Sequence, residues 1–175
     1  IDGTGRAPVA NQALIVTDGK ISWVGPATRL KAPADATSED LSGKYLMPGL
    51  IDSHVHLGLV NGIAQDLKYQ TPENIDGQLH LYAAYGVTSV QTLGTEKDLI
   101  FPIRDAERAT RPDKARVFTV GQGVVFKGSY GGVPGLDQQV ATPEEARRMV
   151  DAQAAKNVDM VKIWVCLLYT SPSPR

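Results

Sequence analysis

The chain changes character at the run Met47-Pro48-Gly49-Leu50-Ile51-Asp52-Ser53-His54-Val55-His56-Leu57. From Leu50 to Leu59 the residues are mostly apolar and predict a strand, interrupted by the polar Asp52, His54 and His56. Because side chains alternate along a strand, the two histidines should point the same way, about 6–7 Å apart along the backbone. Two imidazoles presented together can share a metal ion. The alternative is a pair of polar residues at a strand end, hydrogen-bonded to backbone carbonyls.

The segment before this run, residues 1–48, predicts a small β element. Gln12 to Thr17 is apolar and β-branched, Lys20 to Val24 alternates in character, and Asp18-Gly19 lies between them. Asp-Gly between two such runs is typical of a hairpin, since Gly tolerates the positive φ of a type I′ turn. No helical periodicity is visible before residue 60.

After Pro48 the pattern alternates between strands and helices. Helix starts are indicated by Thr71-Pro72-Glu73 and by Thr142-Pro143-Glu144-Glu145, where a hydroxyl N-cap precedes proline. Such alternation predicts βαβ crossovers and a parallel sheet. The predicted elements are a helix from Thr71 to Gly86, a strand Val87–Leu93, a helix around Ile103–Ala109, a strand Ala115–Val120, a helix from Thr142 to about Lys156 and a strand Val158–Val165.

Lys162 lies in the middle of the last of these strands, which we expect to be buried on both faces. A buried ammonium without a partner is costly, so such a lysine is usually paired, neutral or modified. Three interpretations stay open: a Schiff-base lysine, an ion pair with Asp52 or Asp159, and a metal ligand formed by carbamylation. An unmodified ammonium has no lone pair to offer a cation.

Composition excludes several classes of partner and site. The 175 residues carry a formal net charge of -1, which gives no electrostatic reason to expect nucleic acid or an anionic membrane as partner. Cys166 is the only cysteine, so an internal disulfide and a four-cysteine zinc site are excluded. No apolar run approaches the roughly 18 residues of a membrane-spanning helix. His80 falls within a predicted helix and is interpreted as an ordinary helix residue.

Taken together, these motifs resemble those of the amidohydrolase superfamily, in which a "PG-x-x-D-x-H-x-H" motif joins a small β-sandwich to a metal-dependent β/α barrel. Gly86-Val87-Thr88-Ser89-Val90, with the later Gly94, is similar to the second barrel strand of this family. Val161-Lys162-Ile163-Trp164 is similar to the fourth strand of its two-metal members, whose lysine is carbamylated. One-metal deaminases share the histidine pair but lack this lysine ligand, so Lys162 favours a two-metal hydrolase. Within the superfamily the chain resembles the imidazolonepropionase-like and Xaa-Pro-dipeptidase-like branch.

The resemblance implies an α/β fold in which residues 1–48 form part of a β-sandwich. Residues 49–165 would then form the first four βα units of a TIM-like (β/α)8 barrel, which would be incomplete. It also implies that His54, His56 and Lys162 are metal ligands, with carbamylated Lys162 bridging two divalent ions. Zinc suits such ligands, and manganese, iron or cobalt would fit too. The implied reaction is attack of a metal-activated hydroxide on a small amide, cyclic amide or dipeptide.

The glycine-rich stretch from Gly121 to Gly135 matches neither a phosphate-binding loop nor a dinucleotide fingerprint. It follows a predicted strand, so we expect a loop over the mouth of the barrel. Tyr130, within it, is a candidate substrate contact or an exposed loop tyrosine.

A closed barrel of this kind needs about 250 residues, and residues 49–165 supply about half of that. Family members add histidines from the fifth and sixth strands and a catalytic aspartate from the eighth, which we expect to lie beyond the chain end. Residues 166–175 are rich in Ser and Pro and are expected to be a non-native tail; a genuine variable loop is the alternative. The sequence thus predicts an inactive fragment of a hydrolase. The alternatives are a non-catalytic half-barrel or binding module, and a Schiff-base lyase using Lys162.

Overall fold

The computed structural model describes residues 1–109, 113–129 and 135–164. The chain divides into two compact units, of which the first is Ile1–Pro48 and the second begins at Gly49. Tyr130, Val165 and the tail 166–175, for which the sequence makes predictions, lie outside the described residues. In the described ranges, no helix has the length and apolarity that crossing a bilayer requires.

The first unit contains the predicted hairpin. Strands β1 (Gln12–Thr17) and β2 (Lys20–Pro26) pair in antiparallel fashion. Asp18 and Gly19 join them with φ angles of 51° and 75°, both left-handed, as a type I′ turn requires. The expectation from Asp18-Gly19 is therefore confirmed.

The second unit is mixed α/β, as predicted. Its elements are β3 (Leu50–Val55), β4 (Val60–Asn61), β5 (Ala64–Gln65), α1 (Pro72–Ala84), β6 (Val87–Gly94), α2 (Ile100–Ala109), β7 (Arg116–Gln122), β8 (Val124–Phe126), β9 (Gln138–Val140), α3 (Pro143–Ala154) and β10 (Ile163–Trp164). The central sheet has the order β3-β6-β7, with all strands parallel. β7 continues through Gly123 into β8, which pairs in parallel with both β9 and β10. Neither of these two sheets closes on itself.

The helix ends follow the local signals in the sequence. The Thr71 hydroxyl accepts a hydrogen bond from the backbone N–H of Asn74, and Gly86, with φ of 81°, follows the end of α1. At the start of α3, Thr142 and Glu145 form a reciprocal capping box. These boundaries agree with the predictions.

Two strand predictions are wrong in extent. The first strand ends at Val55 rather than Leu59, because the Leu57 N–H donates to the Glu96 carboxylate and the Gly58 N–H donates to the Gln78 side chain instead of to a neighbouring strand. The strand expected over Val158–Val165 is reduced, within the described residues, to Ile163–Trp164. Here the N–H of Asp159 donates to the Thr119 carbonyl, and the Asp159 carboxylate accepts from the Thr119 N–H, each at 2.9 Å. A side chain thus replaces the backbone ladder at this point.

The last strand is also not buried on both faces. Val161 and Ile163 are 40% and 60% exposed, and Lys162 is half-buried. Among the described residues, nothing packs closely over Val161 and Ile163. The expectation of two covered faces fails because it assumes layers on both sides of the sheet, which these residues do not have.

The core of the second unit lies between the central sheet and helices α1 and α2. Its buried members are Val55, Leu57, Ile75, Leu79, Val90, Ile100, Ala115 and Val117. Val55 and Leu57 point into this core, so the alternating His54 and His56 face away from it and are exposed. Core packing on one side of β3 therefore presents both imidazoles on the other.

Candidate functional site

The carboxyl end of β3 carries the two histidines predicted as metal ligands. Their ring centroids lie 5.4 Å apart, with the ring planes inclined at 75°. The backbone N–H of His54 donates to the Asp52 carboxylate at 3.1 Å, which holds the chain just before the pair. The structure thus brings the two imidazoles together at the end of the sheet where barrel enzymes place their catalytic residues.

His56 is held on two sides. Its Nδ1 lies 3.0 Å from the Thr95 hydroxyl, and its ring stacks on Trp164 with centroids 6.4 Å apart and planes inclined at 15°. Desolvation of the imidazole lowers the pKa of His56 below its ordinary value, and the nearby charges of His54 and Lys162 lower it further. His56 therefore favours the neutral form, which is the form that binds metals.

Glu96 lies behind His56 and is completely buried. Its Oε1 accepts from the Leu57 N–H at 2.9 Å and from the Thr95 hydroxyl at 3.0 Å, while its Oε2 accepts from the Thr95 N–H at 3.1 Å. Burial raises the pKa of Glu96, and these hydrogen bonds act in the opposite direction. The carboxyl group thus joins the chain after β3 to the chain after β6.

Lys162 reaches the same region over two glycines. A Cβ built on Gly94 or on Gly123 would come within 3.3 Å of the Lys162 Cγ, so the stem of this lysine lies where side chains are missing. Its Nζ lies 4.8 Å from the centroid of the Trp164 ring, in a cation–π contact. Trp164 therefore contacts both His56 and Lys162.

The ion pair considered for Lys162 is not formed. Asp159 contacts Arg108 and Thr119, and Asp52 accepts from His54. Among the described residues, no carboxylate forms an ion pair with Lys162, so the ion-pair interpretation is wrong for this part of the chain. The cation–π contact is the interaction that the structure gives its ammonium.

The donor set fits a metal in part. Throughout the described ranges, no group of three or more His, Cys, Asp and Glu side chains is arranged to hold a metal ion. His54 and His56 offer two nitrogen ligands of the kind that zinc binds. Lys162 as an ammonium would repel a cation, whereas its carbamate would add an anionic oxygen ligand.

His80 has the ordinary role expected of it. It is exposed on α1, where its Nδ1 lies 3.2 Å from the Asp76 carboxylate and its Nε2 lies 3.5 Å from that of Asp113. The Asp76 contacts and the Asp113 carboxylate raise the pKa of His80. It forms no part of the site at the end of β3.

Three site residues were missed from the sequence: Thr95, Glu96 and Trp164. A signal was available for each. Thr95 and Glu96 immediately follow β6, the parallel neighbour of β3, and the carboxyl ends of neighbouring strands meet at one edge. Trp164 is two residues after Lys162, so strand alternation places both on one face.

Comparison with curated proteins identifies relatives over part of the chain. No family model matches. An imidazolonepropionase from Paracoccus denitrificans is 48% identical over 54 residues, 30% of this chain and 14% of that protein. An imidazolonepropionase from Saccharopolyspora erythraea is 31% identical over 126 residues, 70% of this chain and 29% of that protein. An enamidase from Eubacterium barkeri is 32% identical over 110 residues, 62% of this chain and 26% of that protein.

Solved structures share the fold. A molinate hydrolase matches with a TM-score of 0.72 and 22% identity, covering 93% of this chain and 42% of that one. An amidohydrolase matches with a TM-score of 0.71 and 21% identity, covering 87% of this chain and 41% of that one. A protein from Bifidobacterium longum assigned as a prolidase matches with a TM-score of 0.65 and 27% identity, covering 85% of this chain and 34% of that one. The chain therefore spans less than half the length of each of these relatives.

Proposed function

The chain is related to the amidohydrolase superfamily, and from this relationship we propose that it carries part of the metal site of a hydrolase acting on carbon–nitrogen bonds. One observation carries the proposal: His54 and His56 present their rings 5.4 Å apart at the carboxyl end of β3. The names imidazolonepropionase, enamidase and prolidase among the relatives support the reaction class. A small amide, cyclic amide or dipeptide is the proposed substrate.

Each of three residues has a proposed role. His54 and His56 bind a divalent metal, zinc by preference, through neutral imidazole nitrogens. Lys162 would join them after its neutral amine adds CO2: a nitrogen–carbon bond forms, a proton leaves to solvent, and the resulting carbamate would offer anionic oxygen ligands. A metal bound there supplies Lewis-acid polarisation of the scissile carbonyl and activation of water. The absence of side chains at Gly94 and Gly123 leaves room for the Lys162 stem that would hold the carbamate.

We assign Ile1–Pro48 to part of a β-sandwich and the unit after it to the first four βα units of a (β/α)8 barrel. The support is topological. β3, β6 and β7 lie side by side in chain order, and β10 pairs with β8, the continuation of β7. Four successive parallel strands in sequential order are what such a barrel requires.

A cobalt titration tests the proposed ligands. We expect Co²⁺ to bind the chain, with tighter binding when bicarbonate is present, and H54A or H56A to weaken binding at least tenfold. H80A is the matched control, because His80 is an exposed histidine of the same unit that pairs only with Asp76 and Asp113 in the described structure. Equal loss in all three variants would mean that the binding is nonspecific and would contradict the proposal.

Carbamylation of Lys162 is tested separately. With ¹³C-labelled bicarbonate and zinc, we expect a carbamate carbon signal that K162R abolishes. Borohydride trapping with a carbonyl substrate tests the alternative of a Schiff-base lyase. Only a lyase would form an imine between Lys162 and the substrate, which borohydride reduces to a stable adduct. If the protein binds no zinc and shows neither the carbamate signal nor the borohydride adduct, the result would support the non-catalytic binding module instead.

A further inference from the structure

The chain immediately after β6 contains an acidic residue that no ligand role explains. Glu96 has no exposed surface, yet it has a carboxyl group within hydrogen-bond distance of residues 39 positions earlier in the chain. Burying such a group is costly unless its oxygens are paired. Its closest hydrogen-bond donors belong to Leu57 and Thr95, each of which adjoins the imidazole of His56 in sequence or in space. A further side-chain hydrogen bond comes from Thr92.

The hydrogen bonds at Glu96 have a definite direction. Backbone N–H groups can only donate, and the Leu57 and Thr95 N–H groups reach different oxygens of the carboxylate. Both oxygens are therefore acceptors, as in an ionised carboxylate. The Thr95 hydroxyl lies 3.0 Å from Oε1 and has a single proton, which it donates to that oxygen.

The hydrogen bond that Thr95 donates to Glu96 determines which ring nitrogen of His56 carries the hydrogen. With its proton given to Glu96, the Thr95 hydroxyl can only accept from the His56 Nδ1, which lies 3.0 Å away. Nδ1 must then carry the hydrogen of the neutral imidazole, and Nε2 must carry the lone pair. Donor counting thus assigns both the hydrogen of the Thr95 hydroxyl and the tautomer of His56.

We propose that Glu96, acting through the Thr95 hydroxyl, is a positioning residue that holds His56 as its Nδ1–H tautomer and keeps Nε2 free to bind a metal. The role in metal binding rests on the proposed function, whereas the tautomer does not. The Glu96 contact with the Leu57 N–H also holds the backbone next to His56, so ring and backbone are restrained from the same carboxylate. Partners behind a ligating histidine usually tune its affinity in this way.

Nitrogen NMR of the histidines tests the tautomer directly. The chain has only three histidines, so ¹⁵N-histidine labelling gives three ring systems, which H54A, H56A and H80A assign. In metal-free protein at pH 8, we expect the hydrogen of His56 on Nδ1. T95V removes the hydroxyl at nearly constant volume and should populate the Nε2–H form, while T95S should restore the Nδ1–H form.

Thr119 provides the matched control. It is a buried threonine on β7 whose hydroxyl contacts Thr92 and the Gly121 N–H, so it reaches Glu96 only through the Thr92 side chain and does not contact the Thr95 hydroxyl. T119V therefore loses a buried hydroxyl but keeps the Thr95 hydroxyl, and it should leave the hydrogen of His56 on Nδ1. E96Q places an N–H donor against a backbone N–H and should also populate the Nε2–H form of His56. If E96Q does not fold, the T95V and T95S pair decides the result.

Cobalt affinity provides the second measurement. We expect T95V to weaken Co²⁺ binding about 10–100-fold, the usual effect of losing a partner behind a ligating histidine, and T119V to leave it unchanged. A wild-type His56 with its hydrogen on Nε2 would overturn the inference, because Glu96 would then have to be the donor to Thr95. If His56 is the Nδ1–H tautomer but His54 and His56 bind no metal, the result would support the hydrogen bonds from Glu96 through Thr95 to His56 and overturn the proposed function. A changed tautomer with unchanged affinity would overturn the positioning role.

Discussion

Two histidines of the second unit show how much the surroundings decide a side chain's chemistry. His56 is partly desolvated by the residues packed on one side of its ring and lies near the charges of His54 and Lys162, and both effects lower its pKa. His80 lies on the surface beside Asp76 and Asp113, which raises its pKa. Because a cationic imidazole cannot bind a metal, the first environment suits a ligand and the second suits a surface ion pair.

We predict that His80 titrates above 6.5 and His56 below it in the metal-free chain. His80 therefore contributes stability that is present below its unfolded pKa and lost as the pH rises through its folded pKa. His56 acts in the opposite direction, since its unfolded state binds more protons and stability falls as the pH drops below 6.5. Proton NMR titration of the ring signals measures both pKa values.

The variant D113N tests the cause of the difference. It removes one carboxylate from His80 and should lower the pKa of His80 while leaving that of His56 unchanged. A reversed order of the two pKa values in the wild-type chain would contradict the assigned environments.

At the scale of elements, the close packing at the carboxyl end of the sheet requires glycine at two positions. A Cβ on Gly123, between β7 and β8, would come within 2.5 Å of the Trp164 Nε1, and Gly94, at the end of β6, has φ of 109°. Both glycines lie beside the Lys162 stem, so neighbouring strands can approach each other where Lys162 and Trp164 of the last segment pack against them. Only glycine is free of strain at such a φ.

We predict that G123A destabilises the chain by about 1–3 kcal/mol, the usual cost of overpacking, because the Trp164 ring must move. In a W23F background, Trp164 is the sole tryptophan, and its fluorescence should change. G77A is the matched control: Gly77 is exposed in α1 with nothing within 4 Å of a built Cβ. It should stabilise the helix by about 0.5–1 kcal/mol, measured by urea unfolding. Unchanged Trp164 fluorescence in G123A would contradict the packing described.

At the scale of the whole molecule, the second unit has one packed side. The sheet buries Val90 and Val117 against α1 and α2, while Phe118 on β7 remains 41% exposed. The stability of this unit therefore depends strongly on the helix-side core.

We predict that L79A lowers the free energy of unfolding by about 2–5 kcal/mol, since it leaves a cavity in that core. Leu79 is completely buried in α1, whereas Leu81, two residues later, is 58% exposed. L81A is thus a control with the same chemistry and helix, and it should change stability by about 0.5 kcal/mol or less. Equal effects of the two substitutions in urea unfolding would show that the core is not packed as described.

We also predict that the 175-residue chain, supplied with zinc and bicarbonate, does not hydrolyse prolyl dipeptides or cyclic amides. In the part of the chain that the structure describes, the site offers two imidazoles and Lys162, without a group of three His, Cys, Asp or Glu ligands. Turnover measured against an H54A/H56A double variant checks this. Hydrolysis that the double variant abolishes would contradict the prediction and show that these residues suffice.

Local patterns were predicted well from sequence, and longer-range ones less well. The Asp18-Gly19 turn and the Thr71 and Thr142 caps depend on neighbouring residues alone, so they agree with the structure. The length of the last strand was wrong because Asp159 pairs with Thr119, 40 residues away, through its side chain. The roles of His54, His56 and Lys162 as metal ligands, and of Tyr130 as a substrate contact, stay predictions.

The sequence by itself determined the α/β class, the hairpin, the helix ends and the direction in which His54 and His56 face, because these follow from turn chemistry, capping and the alternation of side chains along a strand. Only the tertiary structure decided what surrounds those histidines. Thr95, Glu96 and Trp164 reach His56 because β3 and β6 pair in parallel and β10 pairs beside β7 through β8. Such contacts join residues 39 and more positions apart, and their hydrogen-bond directions depend on atoms that no local pattern brings together.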